Sequence, residues 1–191
     1  MKKLMLMTAM IVLTGMAGFA QSFEKGSHAI NLDMGFVNTP YMSTSYYEGF
    51  FPSASVSYEY GIATIPMGSE LTGVVGIGAY AGFCTTRYNF FDNGDHYNIY
   101  DLDLGIRGNY HFIFHDKLDA YTGVWIGANV TSHEWDGGWE EPQDIYFAHE
   151  SGLTAGAYVG ARWFFTDNIG VNAEVGWLIS VVNVGLTFKI K

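Results

Sequence analysis

From residue 29 onward, apolar and polar side chains alternate in about eight separate stretches, and no window after residue 21 carries a sustained 3.6-residue apolar stripe. A period of two places alternate side chains on opposite faces of a β-strand. The last stretch is the clearest: Val182, Val184, Leu186, Phe188 and Ile190 alternate with Val181, Asn183, Gly185, Thr187 and Lys189. Comparable apolar sets lie within residues 30–36, 50–60, 71–83, 100–112, 124–130, 153–165 and 169–179, and the complementary faces are rich in Gly, Asn, Asp, Ser, Thr and Arg. Apolar outside with polar inside inverts a soluble barrel and matches strands that cross a bilayer, for which about ten tilted residues suffice. The pattern predicts an all-β fold, an eight-stranded antiparallel up-and-down transmembrane β-barrel whose last strand pairs with its first.

The connections sharpen this picture. Short turns are expected at 63–69, 115–118 and 166–168, and longer ones at 38–49, 89–96 and 132–145, the asymmetry of a barrel with both termini and its short turns on the periplasmic side. Near Ser180 the seventh and eighth strands meet with almost no loop and no Gly or Asn for a tight turn, so either that turn is distorted or the outer rim is cut down on that side. Aromatics of outward parity fall near strand ends. Tyr58, Tyr60, Tyr110, Phe112, Trp163, Phe165 and Phe188 lie towards the terminal side, and Phe36, Phe50, Phe83, Tyr100 and Trp177 towards the other. Two such belts mark two membrane interfaces.

Residues 1–20 read as a secretory signal peptide: Lys2 and Lys3, an apolar run over 4–16, and small residues before an expected cut after Ala20. Residues 21–191 then form one barrel domain with seven basic against nineteen acidic side chains. That balance excludes nucleic acid as a partner, because no cationic cluster is present to neutralise phosphates. The single Cys84 excludes an internal disulfide framework.

The words of the final strands, Gly160-Ala161-Arg162-Trp163-Phe164-Phe165-Thr166-Asp167-Asn168-Ile169-Gly170-Val171-Asn172-Ala173-Glu174-Val175-Gly176-Trp177 and Asn183-Val184-Gly185-Leu186-Thr187-Phe188-Lys189, resemble the small single-domain outer-membrane β-barrel proteins of Gram-negative envelopes, the OmpA-like "porin family" barrels. The resemblance implies a place in the outer membrane, contact with its lipid and lipopolysaccharide, and insertion by the barrel assembly machinery. The chain departs from the commonest pattern in ending on Lys191 rather than an aromatic.

Parity aims six charges into the lower lumen: Asp33, Glu59, Arg107, Arg162, Glu174 and Lys189. Eight strands leave an interior that side chains just fill, and a buried charge costs several kcal/mol unless paired. A salt-bridged plug is therefore expected, with Arg162, Glu174 and Lys189 meeting on successive strands and Arg107 meeting Asp33 or Glu59. Asp101 and Asp103 are expected to line a solvated acidic vestibule, which could attract cations. The outer loop carrying Trp135, Asp136, Trp139, Glu140, Glu141 and Asp144 offers aromatic and carboxylate groups for recognition of a partner or glycan, but lacks regular calcium-loop spacing. His149 and Ser151 have the spacing of a lipid-modifying hydrolase pair, without an orienting acid of matching parity. His28, His96, His111, His115 and His133 read as scattered over termini, turns and loops, so no metal site or cofactor is expected. The expectation is a non-enzymatic barrel with a structural or surface-interaction role and a charge-plugged lumen. A small diffusion channel for ions or apolar solutes, entered at the low rim, is the alternative, and a lipid-modifying enzyme the third.

Overall fold

The computed structural model describes residues 23–39, 47–49, 52–67, 71–89, 94–113, 115–138 and 150–190. The leader and expected cleavage site lie outside these residues, as do Phe50, Trp139, Glu140, Glu141, Asp144 and His149. The described elements are β1 (His28–Asn38), β2 (Tyr47–Gly49), β3 (Ser53–Met67), β4 (Leu71–Asn89), β5 (His96–Ile113), β6 (Leu118–Asp136), β7 (Gly152–Phe164), β8 (Ile169–Gly176) and β9 (Ser180–Ile190). All pairings are antiparallel. Eight strands, β1 and β3 to β9, close into a barrel, because β4 pairs with β5 at one junction and β1 with β9 at another. The short β2 adds only to the far end of β4.

Closure requires the strands to tilt and their register to stagger. Stepping between paired residues from His28 leads to Tyr60, Ile77, Gly108, Val124 and Ala157. The Trp177 N–H bonds the Ala157 carbonyl, and beyond the turn Ser180 pairs with Asn38, so the circuit re-enters β1 at its opposite end.

The two faces separate as the alternation requires. Val124, Ile106, Ile126, Met34 and Ile77 project outward and are half or more exposed, while Asn31, Asp33, Glu59, Arg107, Asn109, Arg162, Asn172 and Glu174 point inward and are buried. Tyr58, Tyr60 and Trp163 are exposed near the terminal end, and Phe36, Phe83 and Trp177 near the far end.

Several predicted boundaries move. β6 continues through Ser132 to Asp136 and β3 through Ala63 to Met67, so both replace expected turn or loop with strand. A register shift between Gly61 and Ala63 marks a bulge in β3. The rim is strongly uneven, with 19 residues in each of β4 and β6 against 8 in β8. At the low side the chain crosses from β8 to β9 through Trp177, Leu178 and Ile179. Ile179, expected to face outward, is instead fully buried with Leu178 among Tyr80, Cys84, Trp125 and Tyr158. Parity fails there because strand geometry ends at Gly176, after which side-chain direction is set by the turn. At the low rim the turn thus packs Leu178 and Ile179 against lumen side chains.

Candidate functional site in the barrel lumen

Inward-facing residues stack in layers along the barrel axis. At the terminal end Phe23, Ala29 and Val74 form a small apolar cluster with Ile113 packed against it. Polar and charged side chains fill the next layers, and the cluster of Tyr80, Cys84, Tyr121, Trp125, Tyr158, Leu178 and Ile179 lies beyond them. Tyr97 and Ile99 form a third apolar group towards the far end, with Tyr88 and Trp135 against it.

The charged layer contains a closed ring drawn from four strands. Arg162 Nη2 lies 2.6 Å from Glu59 Oε2, and Arg162 Nη1 lies 3.0 Å from Asp119 Oδ2. His111 bridges the same two carboxylates, with Nε2 at 2.5 Å from Glu59 Oε1 and Nδ1 at 2.7 Å from Asp119 Oδ1. All four side chains are essentially excluded from solvent. An imidazole donates through both nitrogens only when protonated, and in that form two cations offset two carboxylates. Arg162 also donates from Nε to Asn31 Oδ1 at 3.2 Å, and its guanidinium lies 4.5 Å from the centre of the Tyr121 ring. Each of the three guanidinium nitrogens therefore has an acceptor, the condition under which a buried charge is tolerated.

A second pair lies beside the ring. Arg107 Nη2 is 2.6 Å from Glu174 Oε1, which also accepts from the Tyr121 hydroxyl at 2.7 Å. Arg107 sits 4.4 Å from the centre of the Tyr158 ring, and the Tyr158 hydroxyl donates to Asn109 Oδ1. Tyr121 thus touches both ion clusters, through its ring to Arg162 and its hydroxyl to Glu174.

All six predicted lumen charges are buried, but their partners differ from the expected ones. The β7–β8 register places Glu174 opposite Gly160 and Arg162 opposite Asn172, so Glu174 lies one inward position further from the terminal end than Arg162. Arg162 instead crosses the lumen to Glu59, and Arg107 takes Glu174 rather than Asp33 or Glu59. Asp33 accepts from Asn172 Nδ2 at 2.7 Å, and Lys189 Nζ lies 4.6 Å from the centre of the Phe164 ring. Sequence reasoning missed His111 and Asp119. His111, read from the sequence as one of the scattered histidines, lies in the turn-proximal end of β5 between Tyr110 and Phe112, so the same parity rule that finds Arg107 identifies it. Asp119 immediately follows the first residue of β6 and is the first inward acid there.

The acidic pair is not a solvated vestibule. Asp101 and Asp103 are buried: Asp101 accepts from the Thr131 hydroxyl at 2.6 Å, and Asp103 from Asn129 Nδ2 at 2.8 Å. The neighbouring strands supply hydrogen-bond donors at the same depth, which a count of basic residues overlooks. Cys84, also buried, places its sulfur 3.9 Å from Asp101 Oδ2. Trp135 is not free loop surface either, since its ring packs 4.8 Å from that of Tyr97. Asp136 is exposed, 3.5 Å from His96 Nε2. The Ser151 hydroxyl accepts from the Thr131 N–H at 2.9 Å and donates to the Thr131 carbonyl at 3.4 Å, so it is engaged by backbone. Among the described residues no group of three His, Cys, Asp or Glu side chains is arranged to hold a metal ion.

No protein-family model and no curated protein matches the chain. Among solved structures it is similar to the N-terminal β-barrel domain of Pseudomonas aeruginosa OprF, at 12% identity and a TM-score of 0.46, over 88% of this chain and 100% of that one. It is also similar to Ail, the attachment invasion locus protein of Yersinia pestis, at 12% identity and a TM-score of 0.36, over 87% of this chain and 99% of that one.

Proposed function

We propose that this chain is an integral outer-membrane barrel with a structural or surface-interaction role, and that its lumen is closed by the Arg162–Glu59–His111–Asp119 ring together with the Arg107–Glu174 pair. The observation that carries the membrane reading is the inversion of faces: a continuous belt of exposed aliphatic side chains surrounds a closed barrel whose interior is polar, charged and buried. In water such a belt would be a severe aggregation liability, whereas in a bilayer it is the matching surface. Strands of 18 and 19 residues exceed the roughly ten that a tilted crossing needs, so β4 to β6 extend beyond the bilayer and present surface outside it. Glu59, Asp119, Arg162 and His111 are engaged with one another, as are Arg107 and Glu174, which supports a filling role for these side chains.

The test is conductance of the refolded mature protein in a planar bilayer, beside Arg162→Ala, together with fractionation of the native protein between inner and outer membranes. A silent native barrel in the outer-membrane fraction, with openings in Arg162→Ala, supports the proposal. Steady conductance by the native barrel would replace the plug with the diffusion-channel reading.

A further inference from the structure

The segment before β1 enters the barrel instead of trailing from it. Phe23 is fully buried, stacked on the His111 ring at 4.3 Å between centroids, and its ring centre lies 5.6 Å from the Arg162 guanidinium. Its backbone is anchored at the β3 bulge: Gly26 N–H donates to the Gly61 carbonyl at 2.8 Å, and Gly61 N–H donates to the Ser27 carbonyl at 2.9 Å. The segment also closes on itself, with Ser27 N–H donating to the Glu24 carbonyl at 3.0 Å and Glu24 N–H to the Ser27 hydroxyl at 3.2 Å.

Two glycines make this seat possible. Gly26 has φ of +88°, which an L side chain rarely adopts, and a Cβ on Gly61 would lie 2.3 Å from the Glu24 carbonyl oxygen. A bulge re-aims the strand at that point. An aromatic ring stacked on the charged layer removes it from water on the terminal side, which strengthens the ion pairs by lowering the local dielectric.

We propose that residues 23–27 form a built-in stopper that seals the terminal mouth of the lumen, with Phe23 as the sealing side chain and the Gly61 bulge as its seat. This rests on the reading of the chain as a closed, charge-plugged barrel and adds to it an apolar cap that packs directly on the charged ring.

Thiol labelling in detergent micelles tests it, in a Cys84→Ala background, using a small charged methanethiosulfonate. Ala29→Cys reports on the apolar cluster that Phe23 completes, and Ser53→Cys reports on the far side of the lumen; both native residues are buried. With Phe23 present, Ala29→Cys is expected to be protected. Adding Phe23→Ser should raise its labelling rate about tenfold or more, the factor corresponding to roughly 1.4 kcal/mol of lost local closure, while Ser53→Cys stays protected. Gly61→Ala, whose methyl would meet the Glu24 carbonyl while leaving Phe23 unchanged, should act in the same direction. Equal labelling of Ala29→Cys with and without Phe23 overturns the stopper, and so does a parallel rise at Ser53→Cys, because the barrel as a whole has then loosened. Labelling alone decides the stopper, whereas conductance decides the ion-pair plug, so the two failures are distinguishable.

Discussion

Arg162 on β7 and Glu59 on β3, 103 residues apart in sequence, meet at 2.6 Å across the barrel lumen with both side chains buried. The contact joins strands that share no hydrogen-bonded ladder, so it can form only once the sheet has closed. It serves both as a filling of the lumen and as a check on barrel closure.

Removing the guanidinium leaves two carboxylates facing one imidazole in a site without solvent. Arg162→Met is expected to destabilise the refolded protein by about 3–5 kcal/mol, the range for breaking a buried pair on one side. Urea unfolding followed by the gel mobility of folded and unfolded forms measures this. Combining it with Glu59→Gln should cost about 0.5–3 kcal/mol less than the sum of the single changes, because the two sites are directly coupled. Strict additivity would mean that the contact contributes nothing.

The exposed belt carries its own prediction. Ile106→Lys, at a site 61% exposed within the belt, is expected to lower stability in vesicles by about 2–4 kcal/mol, the cost of a cation facing the bilayer centre. Ser132→Lys, further along β6 towards the far end and exposed, should change it by no more than about 1 kcal/mol near or beyond the interface. Equal tolerance at both positions would argue that the aliphatic belt does not face lipid.

The turn that fills the low rim is held by side chains from distant strands. Trp125 Nε1 donates to the Trp177 carbonyl at 2.7 Å, and the Ile179 N–H donates to the Tyr80 hydroxyl at 3.2 Å. Trp125→Phe should cost about 1–3 kcal/mol by leaving a carbonyl without its donor. Ile179→Ala should cost about 2–5 kcal/mol through the cavity it opens. Both are read by denaturant midpoints, and midpoints unchanged from native would place the turn outside the cooperative core.

Val37 has φ of 64°, left-handed backbone that a β-branched residue adopts only under strain. Its side chain is exposed, so little packing opposes a replacement. Val37→Asn, which tolerates this conformation, is expected to raise stability by about 1 kcal/mol. A loss of stability on substitution would show that the Val37 side chain contributes more than its strain costs.

Alternation along the chain was enough to determine eight barrel strands, their faces and the burial of Asp33, Glu59, Arg107, Arg162, Glu174 and Lys189, because parity is a local property of a pleated strand. Which charges meet was not legible, since Arg162 reaches Glu59 only after the stagger of eight strands fixes the relative heights of side chains across the lumen. Nor was the fate of segments without strand geometry: Ile179 turns inward and Phe23 enters the mouth because the closed barrel offers each a cavity that the sequence does not display. The period of two decided inside from outside, and tertiary closure decided who touches whom, because contacts across a narrow lumen depend on register summed around the whole circuit.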